Sequence, residues 1–429
     1  TNDATGVQMY GENFQSLGRL STTHNNLAGD KECDHLHDGM GFVPGHISVT
    51  RILEASLQSV DASVSLPYWD YTIDVEEIGA DGSFWAWRNV SVFSNDWFGE
   101  VDSKTGSISE GSYFDNFAIQ ANEWTTATNS YGLIRSPWNN HNSDRFVRFF
   151  GGGSALGEKA SVGVTYDEMS SCSILDAALN QSTSLGIFNG EAAGQAHGPV
   201  HMFTGGQSGT PNYIDRLLDI GLDASSPHYE QDWGNGVTFN FASIKSLWRY
   251  NMWTCPESCS MDTPMSDCKC TCDADTIWKN ASVVEALFAS DIAMKDNVTV
   301  YKLLKMMCEM GPVMGDHASS GAASDPSFWV IHGTVERWLD LLIIEDRFEE
   351  QMWHTPENTV FDSNIHPFTA GCRGHQANDT LVFGLLDGFN FTNLEYYNYL
   401  NPTQPHTPYV YDNFRWPHCA ALGHRIRHT

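Results

Sequence analysis

The chain has 429 residues, enough for one large domain or for two or three ordinary ones, and ample to bury a core. It carries 23 basic against 53 acidic residues, a formal net charge of -30; this argues against nucleic acid and anionic membrane surfaces as partners, because both are polyanions. No run approaches the roughly 20 apolar residues of a membrane span, and the longest, around Trp338 to Ile344, is broken by Asp340.

In chain order, Phe14, Leu17 and Leu20 recur at helical spacing between Asn13 and about Asn25. His24 follows Leu20 by one turn and is expected to face inward with it. A second helix is expected to start near Pro44 and to run through Ile47, Ile52, Leu53 and Leu57, ending before Asp61 with His46 in its first turn. Residues 73–165 read as loops punctuated by Gly151-Gly-Gly153. A third helix is expected to carry His197 and His201, which at a separation of four share one face. Residues from about 207 to 314 hold a cysteine cluster and two glycosylation sequons, and read as an insertion. A fourth helix is expected from about Pro326 to Glu345, with Phe328, Val335, Trp338, Leu341 and Leu342 as its core face. Asp325 suits its cap and Pro326 its first turn. The remainder is rich in aromatics and turn formers, and the chain has no internal repeat.

Ten cysteines include Cys255, Cys259, Cys268, Cys270 and Cys272. In a cytosolic protein such a cluster would suggest a zinc knot; disulfides are the expectation here. Six Asn-x-Ser/Thr sequons, at Asn89, Asn180, Asn280, Asn297, Asn378 and Asn390, and a start at Thr1, as leader removal would leave, fit the same picture. A secreted, extracellular protein with N-linked glycans is expected, its disulfide pairing not legible from the sequence.

Seventeen histidines invite over-reading, and spacing sorts them. His197-Gly-Pro-Val-His201 with His332 makes a three-imidazole metal site. His37 precedes His46 by nine residues, Glu54 follows His46 by eight, and Leu66-Pro-Tyr-Trp-Asp-Tyr-Thr72 comes next. Further on, His197-x-x-x-His201-x-x-x-Gly-Gly precedes Asp325-Pro-Ser-Phe and a histidine-bearing helix. In these segments, over roughly residues 14–72 and 185–345 with the insertion excluded, the chain resembles the type-3 copper family of tyrosinases, catechol oxidases and molluscan haemocyanins.

The resemblance implies a mainly α fold: a tyrosinase-type core in which a four-helix bundle holds a dicopper site, with long loops and a cysteine-rich insertion at 207–314. It implies His24, His37 and His46 on the first copper, with His35 the alternative to His24, and His197, His201 and His332 on the second. Three imidazoles per ion leave open positions for O2 as co-substrate. Phe42, Phe203 and Phe328 would keep the site dry or serve as plain core. Glu54 would anchor a ligand imidazole or pair with an arginine. Tyr409-Val-Tyr411 resembles the tyrosine motif that closes the core. The residues after it are too few for a shielding domain, so a single catalytic domain with an open site is expected over residues 1–429.

Departures from the family pattern bear on substrate. The usual Trp-His-Arg is Gly45-His46-Ile47, the usual His-His is Ile331-His332, and Glu336 replaces Asp before Arg337. Gly198 stands where hydroxylating members often have Asn, a residue that helps a glutamate deprotonate the phenol; Glu191 is the candidate for that catalytic base. Cys33, four before His37, is the nearest candidate for the thioether some members form with a ligand histidine, and too distant for it. The expectation is a secreted copper oxidase taking o-diphenols to o-quinones in preference to hydroxylating monophenols, with substrate entering through space vacated at Gly45. A haemocyanin-like O2 carrier, or a copper protein without turnover, is the alternative. A zinc hydrolase built on His197 and His201 lacks the glutamate next to the first histidine and leaves the first-half motifs unexplained.

Overall fold

Ser16 shows how local chemistry sets the elements. Its hydroxyl accepts from the Arg19 amide and starts a helix at Leu17, so Phe14, expected inside that helix, lies before it and packs on Tyr10 at 5.5 Å. The computed structural model describes residues 3–79, 84–102, 105–150, 169–206, 244–288, 297–310, 313–349, 353, 371–383, 390–405, 407 and 409–426. Helices dominate these residues: α1 (Asp3–Tyr10), α2 (Leu17–Ala28), α3 (Phe42–Val60), α4 (Tyr71–Ile78), α5 (Cys172–Gln181), α6 (Leu185–Ala193), α7 (Gly198–Gly205), α8 (Ala274–Trp278), α9 (Ala281–Phe288), α10 (Asn297–Met310), α11 (Ser327–Ile344), α12 (Asn393–Tyr399) and α13 (Pro417–Ala421). The only sheet among them pairs β1 (Trp253–Thr254) with antiparallel β2 (Thr271–Cys272). No described helix is long and apolar enough to cross a membrane.

Pro44 sits in the first turn of α3, where its missing N–H costs no helix bond, and the helix begins two residues earlier than expected. Within the loop-rich 73–165 segment, α4 and two 3-10 turns at Phe84–Asn89 and Ser91–Phe93 were not legible, and Gly151-Gly-Gly153 lies outside the described residues. The main core collects Phe42, Val43 and Ile47 of α3, Tyr71 and Val75 of α4, Phe188 of α6, Val200 and Phe203 of α7, and Ile331, Trp338 and Leu342 of α11. Helix α3 packs along α11, and α2 packs on α3 and on the turn at Ala322–Ser324.

Three buried arginines brace this core. Arg148 meets Asp325 at 2.5 Å, Arg135 meets Asp316 at 2.7 Å, and Arg51 meets Glu336 at 2.6 Å. Asp325 also accepts from the Ser327 amide, and so caps α11 from two residues before its start. Cys33–Cys372 and Cys172–Cys419 join segments far apart in the chain.

The cysteines of the expected insertion form disulfides, Cys255–Cys270, Cys259–Cys268 and Cys272–Cys308, so the zinc-knot alternative falls. They staple a second small core of Leu247, Trp253, Ile277, Leu303 and Leu304. This module grips the main body by its cations. Arg249 donates to the carbonyls of Ala28 and Asp30, and Lys245 pairs with Asp34 at 2.7 Å and with Asp38.

His141 offers a test of the packing around Arg135. It is buried, its Nδ1 accepts from the Ser143 amide, and burial together with the Arg135 charge holds its pKa well below 6.5. Unfolded chains take up that proton as pH falls through about 6.5 and folded ones do not, so its share of stability is present above that pH and lost below it. Urea midpoints measured from pH 7.5 to 5 should therefore fall, and His141→Gln should flatten the fall. An unchanged slope in the variant would refute this.

Candidate metal centre

Six histidines from five places in the chain converge. His24 comes from α2, His37 from the loop before α3, His46 from α3, His197 and His201 from the start of α7, and His332 from α11. In the first group the ring centroids are 5.3 Å (His24 to His37), 5.5 Å (His24 to His46) and 4.9 Å (His37 to His46) apart. In the second they are 4.4 Å (His197 to His201), 4.7 Å (His197 to His332) and 5.2 Å (His201 to His332) apart. In each triad one nitrogen per ring lies within 4.8 Å of the other two. The triads meet where His46 stacks on His332 at 4.4 Å.

The third helix was expected to include His197, but it begins at Gly198 with Pro199 in its first turn, leaving His197 as its N-cap at φ -131° and ψ -40°. His35, the alternative to His24, lies elsewhere: its Nδ1 contacts the Arg373 carbonyl at 2.8 Å, beside the Cys33–Cys372 bridge. That bridge also occupies Cys33, the residue considered for a thioether.

What the imidazoles do with their nitrogens tests whether they suit a metal. Nδ1 of His24 donates to the Ser320 carbonyl (2.9 Å), that of His46 to Phe42 (2.8 Å) and that of His332 to Phe328 (2.7 Å). The Nδ1 of His37 faces the Asp34 carboxylate at 3.0 Å. The opposite nitrogens of His24, His46 and His332 are buried with no hydrogen-bond partner, and those of His197 and His201 face each other at 2.8 Å. A buried unpaired nitrogen is costly unless something occupies its lone pair. Burial, with His37 adding to it, pushes the pKa of His24 down to about 3, and burial followed by His317 and His37 does the same for His197. Burial also holds His46, His201 and His332 well below their ordinary value. Neutral imidazoles with free, convergent lone pairs fit a divalent transition metal, and an all-imidazole set suits copper.

Two aromatics flank both triads. Phe42 lies 4.6 Å from His46 and 5.5 Å from His197, and Phe328 lies 4.1 Å from His332 and 5.0 Å from His24. Phe203 is buried in the main core. His24, His46, His197 and His332 are sealed, while the His37 side chain is 34% exposed.

The Leu66 to Thr72 stretch straps the two halves together. Its Trp69 amide donates to the Val330 carbonyl and Thr334 donates back to Trp69, docking the strap on α11. Asp70 pairs with Arg337 at 3.2 Å, and the Tyr71 hydroxyl donates to the Ala196 carbonyl, next to His197. Glu54 fills neither role foreseen for it: one oxygen accepts from the Leu66 amide and the other from Gln58, so it holds the head of the strap. Arg51 pairs with Glu336 instead, and that same glutamate accepts from the hydroxyls of Tyr409 (3.0 Å) and Tyr411 (2.9 Å). The longer glutamate in place of aspartate thus collects four donor contacts.

Gly45 does not open a space. A β-carbon there would lie 3.2 Å from Leu36 and 3.8 Å from Val382, so the bulk missing from the helix is supplied by its neighbours. At Gly198 a β-carbon would stand 3.0 Å from the Ala193 carbonyl, a tight approach that glycine relieves. Glu191 lies on α6, half-buried, its carboxyl pKa raised by burial; among the described residues its carboxylate makes no hydrogen bond. His317, not singled out by the sequence, is buried against His201, their Nδ1 atoms 2.8 Å apart. Its one sequence signal is a histidine shortly before Asp325-Pro326, too weak to choose it among 17.

Comparison with known proteins agrees with this geometry. The family profile described as the common central domain of tyrosinase matches residues 12–215. The chain is 32% identical over 217 residues to a tyrosinase of Streptomyces antibioticus, covering 46% of this chain and 68% of that one. It is 30% identical over 216 residues, with the same coverage, to a tyrosinase of Streptomyces lincolnensis. A shorter match, 32% over 81 residues, joins it to tyrosinase-like protein 2 of Margaritifera margaritifera, covering 19% of this chain and 16% of that one. With two histidine triads meeting across α3 and α11, and two Streptomyces relatives matched over two thirds of their length, the chain belongs to the tyrosinase family of type-3 copper proteins.

Proposed function

We propose that the protein is a secreted copper oxidase that uses O2 to oxidise phenolic substrates, o-diphenols in preference to monophenols. The observation that carries this is the meeting of two largely buried histidine triads, in which the opposite nitrogens of His24, His46 and His332 have no partner. His24, His37 and His46 would hold one copper ion and His197, His201 and His332 the other, in a bundle formed by α2, α3, α7 and α11. When bound, such a pair of copper ions supplies reversible electron transfer to O2. The reaction balances as two o-diphenols, each giving up two electrons and two protons, against one O2 reduced to two waters.

The protein's own part is to hold and shape. Backbone carbonyls and Asp34 fix four of the rings through Nδ1, leaving the other nitrogen for metal. Phe42 and Phe328 keep water from the sealed side, and the partly exposed edge of His37 marks the side from which substrate would approach. Glu191 is the candidate base for a phenolic proton. With Gly198 pressed against the Ala193 carbonyl, no side-chain amide follows His197 to work with that carboxylate, which supports the diphenol preference. Five disulfides and exposed sequon residues Asn89, Asn180, Asn378 and Asn390 support secretion with N-linked glycans. The disulfide-bonded module within 207–314 is read as an insertion in a single catalytic domain.

The test is metal analysis joined to substrate screening. Two copper ions per chain, silent in electron paramagnetic resonance because the pair is coupled, are expected. Sustained O2 consumption is expected with catechol, at a kcat/KM at least about tenfold above that for tyrosine, a gap of about 1.4 kcal/mol. Equal activity on tyrosine would overturn the preference. Two coppers with reversible O2 uptake and no turnover would support an O2 carrier, and one zinc with no copper would overturn the whole reading.

A further inference from the structure

His317 belongs to neither triad, yet it is wholly buried against one of them. It reaches that place because two backbones meet without side chains between them. A β-carbon on Gly315 would lie 2.0 Å from the Gly205 carbonyl oxygen, and one on Gly205 would lie 2.3 Å from the Ala318 amide. The turn Asp316–Ala318 therefore lies flat on the end of α7, with His317 between His201 and the start of α11.

The direction of every hydrogen bond in this region follows from its charged end. Arg148 donates to both oxygens of Asp325, at 2.5 and 2.8 Å. That carboxylate, which the Arg148 guanidinium holds below its ordinary pKa against burial, can only accept. Ser327 Oγ, 2.7 Å from Asp325, must then spend its proton there, so toward His317 Nε2 at 3.0 Å it can only accept. The proton of a neutral His317 accordingly sits on Nε2, and its Nδ1 carries a lone pair. That lone pair faces His201 Nδ1 at 2.8 Å, which must donate. His201 is left with a bare Nε2, the nitrogen that faces His197. The opposite polarity would protonate Nε2 of His201 and spoil it as a ligand.

We propose that His317 is a positioning residue for His201: with Ser327, Asp325 and Arg148 behind it, it fixes the tautomer and ring orientation of that ligand at one of the two metals. This rests on the reading of His201 as a copper ligand. The arrangement differs from that of His24, His46 and His332, each of which leans on a single backbone carbonyl. The His317 carbonyl also lies 3.1 Å from His201 Nδ1, so removing the imidazole leaves one acceptor in place. The effect should accordingly fall at the low end of the range for such outer partners.

The test uses copper titration of the full chain with three variants. His317→Leu should weaken one of the two copper ions about tenfold and leave the other unchanged. Dialysed against limiting copper, it should show the resonance of an isolated Cu(II), where the parent protein stays silent. His317→Asn, whose amide oxygen replaces the Nδ1 acceptor, should restore most of the affinity. Ser327→Ala, a small change that keeps the ring but frees its tautomer, should weaken the same ion several-fold; it carries the test if His317→Leu does not fold. A packing role predicts the reverse order, leucine filling the site better than asparagine. Unchanged affinity for both ions in His317→Leu and Ser327→Ala, or asparagine no better than leucine, would overturn the proposal while the dicopper reading stands. A parent protein that binds fewer than two coppers would overturn both.

Discussion

His332→Ala is expected to bring the protein from two coppers per chain to about one, and to lower catechol oxidation by at least about 10³-fold, since the lost metal supplies several kcal/mol. His46→Ala is expected to do the same through the other ion. The two positions are informative because their rings stack at 4.4 Å, where the triads meet, and each is held at Nδ1 by its own helix. Both rings are buried, so an alanine also leaves a cavity. His332→Asn and His46→Asn, which keep part of the volume, separate loss of metal from loss of packing. Copper analysis after exhaustive dialysis decides the matter: variants that retain two ions would remove these residues from the site.

The largest expected effect on stability is at Glu336. This residue is 1% exposed and accepts from Arg51, Tyr409 and Tyr411 at once. Arg51 lies over the Tyr409 ring at 4.7 Å, and burial together with the Glu336 charge pushes the Tyr409 and Tyr411 hydroxyls far above their ordinary range, so both stay protonated donors. Glu336→Ala strands a buried guanidinium and two hydroxyls and is expected to cost about 3–5 kcal/mol, read as a shift in the urea midpoint. Tyr411→Phe, which removes one donor from a satisfied group, is expected to cost about 1 kcal/mol. Replacing the ion pair with Arg51→Met and Glu336→Leu together should recover part of the loss, because no charge is then left unpaired. A single Glu336→Ala variant as stable as the parent would show that the cluster is not a brace.

This cluster explains why a tyrosine motif far along the chain matters to a site built from earlier residues. Tyr409 and Tyr411 close over Glu336 on α11, one turn beyond His332, and Arg51 ties that point to α3, the helix of His46. The two helices that bring the triads together are thus clamped beside those histidines. The Leu66 to Thr72 strap clamps them again from another side, through Glu54 on α3 and Thr334 on α11.

Much of the site was legible because it depends on short-range geometry. The i to i+4 interval of His197 and His201 and the apolar faces of α3 and α11 are periodicities, set by backbone dimensions that any sequence carries, whereas the interval from His37 to His46 pointed to a site only through the resemblance to a known family. The helix limits erred by a few residues: the Ser16 side chain chose the boundary before α2, while α3 and α7 start at Phe42 and Gly198 with no side-chain cap. The fates of Glu54, Gly45 and Cys33 were not legible, since each turns on what arrives from elsewhere: the Leu66 amide, the side chains of Leu36 and Val382, and Cys372.

The sequence by itself thus pointed to histidines as the candidate ligands, to the helices that carry most of them and to oxidised cysteines, through residue chemistry, local spacing and the family resemblance. Tertiary structure alone decided that Lys245 of the disulfide-bonded module grips Asp34 behind His37, and that His317 stands behind His201. Those outcomes are set by contacts between residues more than a hundred positions apart, and by burial that strips the imidazoles of protons, neither of which any local pattern encodes.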